Sequence, residues 1–537
     1  MVSMAAVSQT TTPRTASRRP QAELSRTQRL RGTPPKDGWI GWAVAVGITV
    51  FAFLLRLINL GYPNKLLFDE TYYPKDAWAI LNYGYEVGWS ENANDLIVQG
   101  DLSGMTGDAD FVVHPPLGKL LIGIGEALFG MDPLGWRIMA AVFGSLLILV
   151  VIRMTRRLSG STLIGALAGV LLCFDGLHFV MSRLGLLDIF QAFFTVAAVA
   201  ALLVDRDWFR NTLADHLDRR GLTSLNGAFG PVIWWRPWRL IAGVLFGMAC
   251  ACKWGSLYVL AAFSVLSVFW DIGARRLAGA RGESWRALIV DAPIAFVYHV
   301  VVAVLVYIGS WFRWFGTDGG YRRQWGAENP DAPVTRLLGK PLASLWEYHV
   351  AMYDFHTGDY MRNEATHTYE ADPSGWLIIG RPIGIDAVNG IQPGTDGCIG
   401  PEECIRVISA IGTPILWWAG VIALLAAVLW WIGNQDWRFG VPVVGLLSTW
   451  LPWFPQADRP LFFFYGIMII PFTCIALALL LGKLMGEGRR TWRPGVIIAG
   501  AFVALVILNF GYFYPILTDG LLTRSQWEAR MWFSSWI

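Results

Sequence analysis

The sequence predicts an all-α polytopic membrane protein of about eleven transmembrane helices, joined by two long loops on one face that contain juxtamembrane helices. Two observations carry this. Of 537 residues, 54% are hydrophobic and 15% charged, with a mean hydropathy of +0.44, a balance too apolar for a soluble globular enzyme of this length. The 28 Trp suit a chain that meets two membrane interfaces. The net charge of +3 is uninformative, because Lys and Arg matter here by position.

Residues 1–36, rich in Ser, Thr, Pro, Arg and Gln, are expected to form a disordered cytoplasmic arm. The apolar run after it is expected to be a retained anchor rather than a cleaved signal peptide. A spanning helix needs roughly 20 apolar residues. On that template the spans fall near 39–60, 136–154, 161–178, 186–204, 238–252, 255–271, 288–311, 409–432, 439–454, 462–482 and 495–514. Arg153, Arg156 and Arg157, the connection from Arg206 to Arg239, the stretch from Arg275 to Arg286 and that from Lys483 to Arg493 all fall on the side of the basic arm. The positive-inside rule makes that side cytoplasmic and sends 515–537 outside as a tail. The outer loops, 61–135 and 312–408, exceed the length of ordinary connectors and are expected to be functional. The first ends in an apolar run to Phe129 that is short for a span and is read as an interfacial helix. Cys398 and Cys404 flank a Gly-Pro turn in the second, where a local disulfide can persist. The other four Cys lie in or beside apolar segments and are read as packing residues.

The functional signal is Phe68-Asp69-Glu70-Thr71-Tyr72-Tyr73, directly after the first span. Carboxylates are costly near hydrocarbon, so a juxtamembrane acidic pair is a site candidate as well as a candidate helix cap. Adjacent helical positions diverge by about 100 degrees, so one acid can serve as base while the other orients its neighbours. Arg183, Lys253 and Arg459 sit at the outer ends of spans, where the charge rule disfavours cations. Each could be a snorkelling anchor; gathered on the face of the acids, they suggest an anionic leaving group, and phosphate is the usual anion held by Arg and Lys. His114 and Lys119, in His114-Pro115-Pro116-Leu117-Gly118-Lys119, are weaker candidates, since a Pro-rich turn also suits a helix start.

Taken together, Phe68-Asp69-Glu70, the His-Pro-Pro-Leu-Gly-Lys stretch, Ser182-Arg183 followed by Leu186-Leu187-Asp188, and Cys252-Lys253-Trp254-Gly255 resemble protein O-mannosyltransferases, GT-C enzymes that use polyprenyl-phosphate sugars. The likeness runs in order from about residue 40 and includes Glu347-Tyr348-His349 and Leu451-Pro452-Trp453 through Arg459 to Tyr465. It implies an eleven-helix GT-C fold with the N-terminus inside. Eukaryotic members carry a trefoil domain in the second loop, for which this chain has no room, so the resemblance is to bacterial, actinobacterial-type members.

The resemblance implies inverting transfer of mannose from polyprenyl-phosphate-mannose to Ser or Thr hydroxyls of exported proteins at the outer face of the plasma membrane. Asp69 suits the base and Glu70 an acceptor-binding or orienting role. Arg183, Lys253 and Arg459 suit the phosphate, Asp188 is expected to hold Arg183, and Tyr73 and His349 are supporting residues. No metal or other cofactor is required, though the His residues of the second loop leave room for a divalent ion. Expected partners are the lipid donor, exported protein acceptors and membrane lipids, with the secretion channel as a candidate neighbour and no nucleic acid. The alternatives are a GT-C transferase acting on a glycolipid or cell-wall glycan, and a lipid or solute transporter without covalent chemistry.

Overall fold

The computed structural model describes residues 24–32, 38–486 and 493–537. The protein is mostly helical, and each expected apolar segment falls on helix. Among the described residues seven helices are long and apolar enough to cross a membrane: Gly38–Leu57, Pro133–Ser159, Asp188–Arg219, Ser256–Ala278, Arg281–Ser310, Pro414–Gly433 and Arg493–Leu517. Thr162–Cys173, Pro237–Cys250 and Ile470–Met485 are shorter apolar helices, and Trp437–Trp450 has 14 residues.

Asp188–Arg219 is the central post. In its apolar window 83% of residues are buried inside the protein, against 22% for Gly38–Leu57 and 28% for Arg493–Leu517. The apolar outer faces of those two helices are left for lipid, which is why their sequences are hydrophobic all round. The post also outruns its expected end near 204. Phe209, Leu213 and Leu217 continue a buried stripe that packs on Leu30.

That contact corrects part of the disordered arm. Residues Arg26–Arg31 form a helix capped by a Ser25–Gln28 capping box, and Arg31 pairs with Asp215 and Asp218 at 2.5 and 2.8 Å. Residues 1–23 and 33–37 of the expected arm lie outside the described residues. The expected span 161–178 is also broken. Asp175 caps the short helix Gly176–Met181 by accepting from the His178 amide, and it accepts from the Thr413 amide and the Trp417 indole as well. A carboxylate so engaged ends one helix and starts the next.

Among the described residues two small sheets qualify the all-α expectation. Val87–Trp89 pairs antiparallel with Met105–Ala109 in the first loop. In the second, Ile383–Ile391 pairs antiparallel with Cys404–Ala410, which pairs with Leu522–Thr523 of the tail. Cys404–Ala410 is the middle strand and is largely buried on both faces, so it lacks the polar-apolar alternation by which strands are read. Cys398 and Cys404 are disulfide-bonded. The tail therefore closes over the second loop at the end of the molecule that carries Asp69. The interfacial run forms the 13-residue helix Leu117–Phe129, about 20 Å long at 1.5 Å per residue and too short to span.

Candidate active site

Asp69 and Glu70 share the 3-10 turn Phe68–Thr71 but have opposite surroundings. Glu70 is fully buried. It accepts from Arg137 Nε at 2.9 Å and Nη2 at 2.8 Å, from the Gly185 amide at 2.8 Å and from the Leu67 amide at 3.0 Å. With its lone pairs so occupied it has none left for an acceptor, so of the two roles expected for it the structure fits the orienting one and not acceptor binding or direct catalysis. It anchors the turn to the Pro133–Ser159 helix and to the loop before Asp188.

Asp69 has one hydrogen-bond donor among the described residues, the Tyr73 hydroxyl at 3.4 Å. Burial pushes its carboxyl up to about 6, with nearby Asp188 adding to the rise and Lys253 and Tyr73 opposing it. A carboxylate titrating there is ionised at neutral pH and still basic enough to take a proton.

Lys253, Asp188 and Tyr465, whose charges act on or respond to Asp69, line a cavity of about 560 Å³ together with His114, His356 and Arg459. Lys253 stands between the helices Pro237–Cys250 and Ser256–Ala278. Its Nζ donates to Asp188 at 2.8 Å and lies 5.9 Å from the ring centres of Tyr73, Phe464 and Tyr465. Burial pulls its pKa down, but Asp188, Tyr465 and Asp69 outweigh that and leave it raised. Asp188 thus holds Lys253, not Arg183 as expected. Arg459 donates through Nη1 to the His356 carbonyl at 3.3 Å, and its buried Nε has no partner among the described residues. The cavity therefore offers a fixed ammonium and a partly engaged guanidinium, which suits an anion.

His114 and His356 stack at 5.4 Å, with His356 Nε2 donating to the Val113 carbonyl at 3.0 Å. Burial, then Lys253 and His356, hold His114 well below the usual imidazole value. It is therefore a neutral hydrogen-bonding group rather than a third cation.

The structure separates the remaining candidates from the cavity. Arg183 donates to the carbonyls of Arg56, Ile58 and Asn59 at 2.7, 2.6 and 3.2 Å, so it closes the C-terminal end of Gly38–Leu57, where free carbonyls favour a cation. Lys119 is buried against Glu86, with Asp76 at 3.8 Å. His349 accepts from the Tyr307 hydroxyl at 2.6 Å while its Nδ1 donates to the Leu345 carbonyl. Its role is indirect, since Tyr307 also accepts from the cavity residue Trp254. Among the described residues no three His, Cys, Asp or Glu side chains gather as a metal site.

Sequence reading missed Arg137, the counter-ion of Glu70. It sits at the end of an apolar segment on the same face as Arg183, Lys253 and Arg459, so the rule that singled those out could have found it. The uncharged wall residues Tyr465 and Trp453, stacked at 4.6 Å, carried no such signal.

A family profile described as dolichyl-phosphate-mannose-protein mannosyltransferase matches residues 46–309. Another, the C-terminal four TMM region of protein-O-mannosyltransferase, matches 341–536. The chain is 36% identical over 513 residues to a polyprenol-phosphate-mannose–protein mannosyltransferase of Mycolicibacterium smegmatis, covering 94% of each chain. It is 34% identical over 520 residues to the one of Corynebacterium glutamicum, covering 94% of this chain and 96% of that one. Its fold matches a chain of a Saccharomyces cerevisiae protein O-mannosyltransferase complex bound to the sugar donor, with a TM-score of 0.67 at 14% identity over 95% and 94% of the two chains. The chain belongs to the protein O-mannosyltransferase family of membrane glycosyltransferases.

Proposed function

We propose that the protein transfers mannose from polyprenyl-phosphate-mannose to Ser or Thr hydroxyls of exported proteins, with inversion at the anomeric carbon. The observation that carries this reading is the position of Asp69, a basic and sparsely bonded carboxylate beside a cavity that holds Lys253 and Arg459. Asp69 takes the proton of the hydroxyl as its oxygen bonds to the anomeric carbon. The bond from that carbon to the phosphate oxygen breaks on the opposite face. The departing polyprenyl phosphate gains a negative charge, which Lys253 and Arg459 offset without donating a proton. A single displacement needs no carboxylate nucleophile, in keeping with Glu70 being bound by Arg137. No step is routed through a metal.

The basic end, where Arg157 pairs with Asp207 and Arg31 with Asp215, is placed in the cytoplasm by the positive-inside rule. Asp69 then opens to the outer face of the plasma membrane, where exported acceptors emerge. The test supplies purified protein with labelled polyprenyl-phosphate-mannose and a Ser/Thr-rich peptide. Mannose on a hydroxyl, with the anomeric configuration opposite to that of the donor, is expected. Retained configuration, or label passing only to a glycan or glycolipid acceptor, would overturn the reading.

A further inference from the structure

Phe68, next to Asp69, has φ of 51°, a left-handed conformation that is strained for an ordinary L-residue and persists only when its surroundings enforce it. Those surroundings are rings. Phe68 lies edge-on to His367 at 6.2 Å, Phe462 at 6.1 Å and Phe464 at 5.8 Å, and His367 is itself edge-on to Phe462 at 5.0 Å. Phe464 is buried and also faces Lys253. It thus joins the cation cavity to a second, ring-lined corner in which His367 is exposed and Phe68 and Phe462 are partly exposed.

We propose that the corner formed by Phe68, Phe462 and His367 is the docking surface of the acceptor polypeptide, which crosses it as an extended segment and presents a Ser or Thr hydroxyl to Asp69. The inference rests on the transfer reaction proposed above. In-line displacement requires the hydroxyl to attack opposite the leaving phosphate. The phosphate belongs with Lys253 and Arg459, so the acceptor needs another approach to Asp69. The corner begins at the residue covalently joined to Asp69. Ring faces and edges contact backbone and small side chains with little demand on sequence, which suits an enzyme that must accept many hydroxyl-bearing segments.

The experiment compares His367→Ala and Phe462→Leu with the unchanged protein, using a Thr-containing peptide and the lipid-linked mannose donor. Each variant is expected to raise the KM for peptide about tenfold, the equivalent of one lost ring contact, while the KM for donor stays within about twofold. An unchanged peptide KM, or parallel rises in both, overturns the proposal. A peptide with a benzophenone side chain beside its Thr supplies a readout on the unchanged protein. Crosslinks confined to 365–369 or 460–464 support the corner, and crosslinks found only elsewhere overturn it. Failure of the unchanged protein to mannosylate any peptide would instead refute the transfer reaction itself.

Discussion

The two ends of the protein handle buried charge in opposite ways. At the basic end Asp205 and Asp271 face Arg236 and Arg239 in a box whose four side chains are at most 2% exposed. Each of the four carboxylate oxygens accepts at least one arginine N–H there. Two charges of each sign cancel, and the box locks Asp188–Arg219 to Pro237–Cys250 and Ser256–Ala278. At the other end Lys253 has Asp188, Glu70 has Arg137, and Asp69 and Arg459 are left incompletely matched. Matched buried charge holds helices together; unmatched charge at a cavity waits for a ligand and a proton.

Substitution at the unmatched acid should have the largest catalytic effect. Asp69→Asn is expected to lower transfer by about a thousandfold, in the range of a lost general base, with expression and membrane insertion kept. A variant retaining more than a tenth of the activity would remove Asp69 from the role. The matched box should show the reverse. Arg236→Ala strands Asp205 and Asp271 and is expected to cost about 3–5 kcal/mol, seen as lost folded yield and a lowered thermal transition in detergent. If that variant folds normally and loses only catalysis, the division between the two ends fails.

Lys253→Ala sharpens the comparison, because it removes an ion pair and a ligand contact together. The apparent affinity for lipid donor should weaken about tenfold, the scale of one charge-assisted hydrogen bond, with a smaller change for peptide. Equal donor KM values would place the phosphate elsewhere.

The smallest effect concerns pH. Asp69 titrates near about 6 in the folded protein against an ordinary 3.8, so kcat/KM should be half-lost near that pH and fall tenfold per unit below it. A carboxyl raised by folding binds its proton more tightly when folded. Its stabilising contribution is present below 3.8 and lost as pH rises through about 6. Acidification across that window should therefore silence the base without this group weakening the fold. A flat profile from pH 5 to 7 would contradict the titration.

The sequence already carried much of this contrast. Carboxylates and cations at the ends of apolar runs pointed to the site end, and Asp69, Lys253 and Arg459, the residues to which the proposed function gives the roles of base and phosphate ligands, stood out there by residue type and position. Arg183 and Lys119 were equally visible and misassigned, and Glu70 was read as acceptor-binding or orienting when only the second fits. Their residue types fit the chemistry, but their partners lie far away in sequence: Arg137 for Glu70, the carbonyls from Arg56 to Asn59 for Arg183, and Glu86 for Lys119. The small three-stranded sheet was missed because its middle strand is covered on both faces and its third strand comes from the tail.

By itself, then, the sequence determined the helical membrane class and the positions at which charged side chains meet the ends of apolar runs, since hydrophobic run length and charge placement are local properties of a chain in a bilayer. Only the tertiary structure decided which of those charges are spent on one another. A carboxylate with four donors is held as a strut and one with a single long hydrogen bond keeps lone pairs free, and that difference depends on side chains brought together from distant helices.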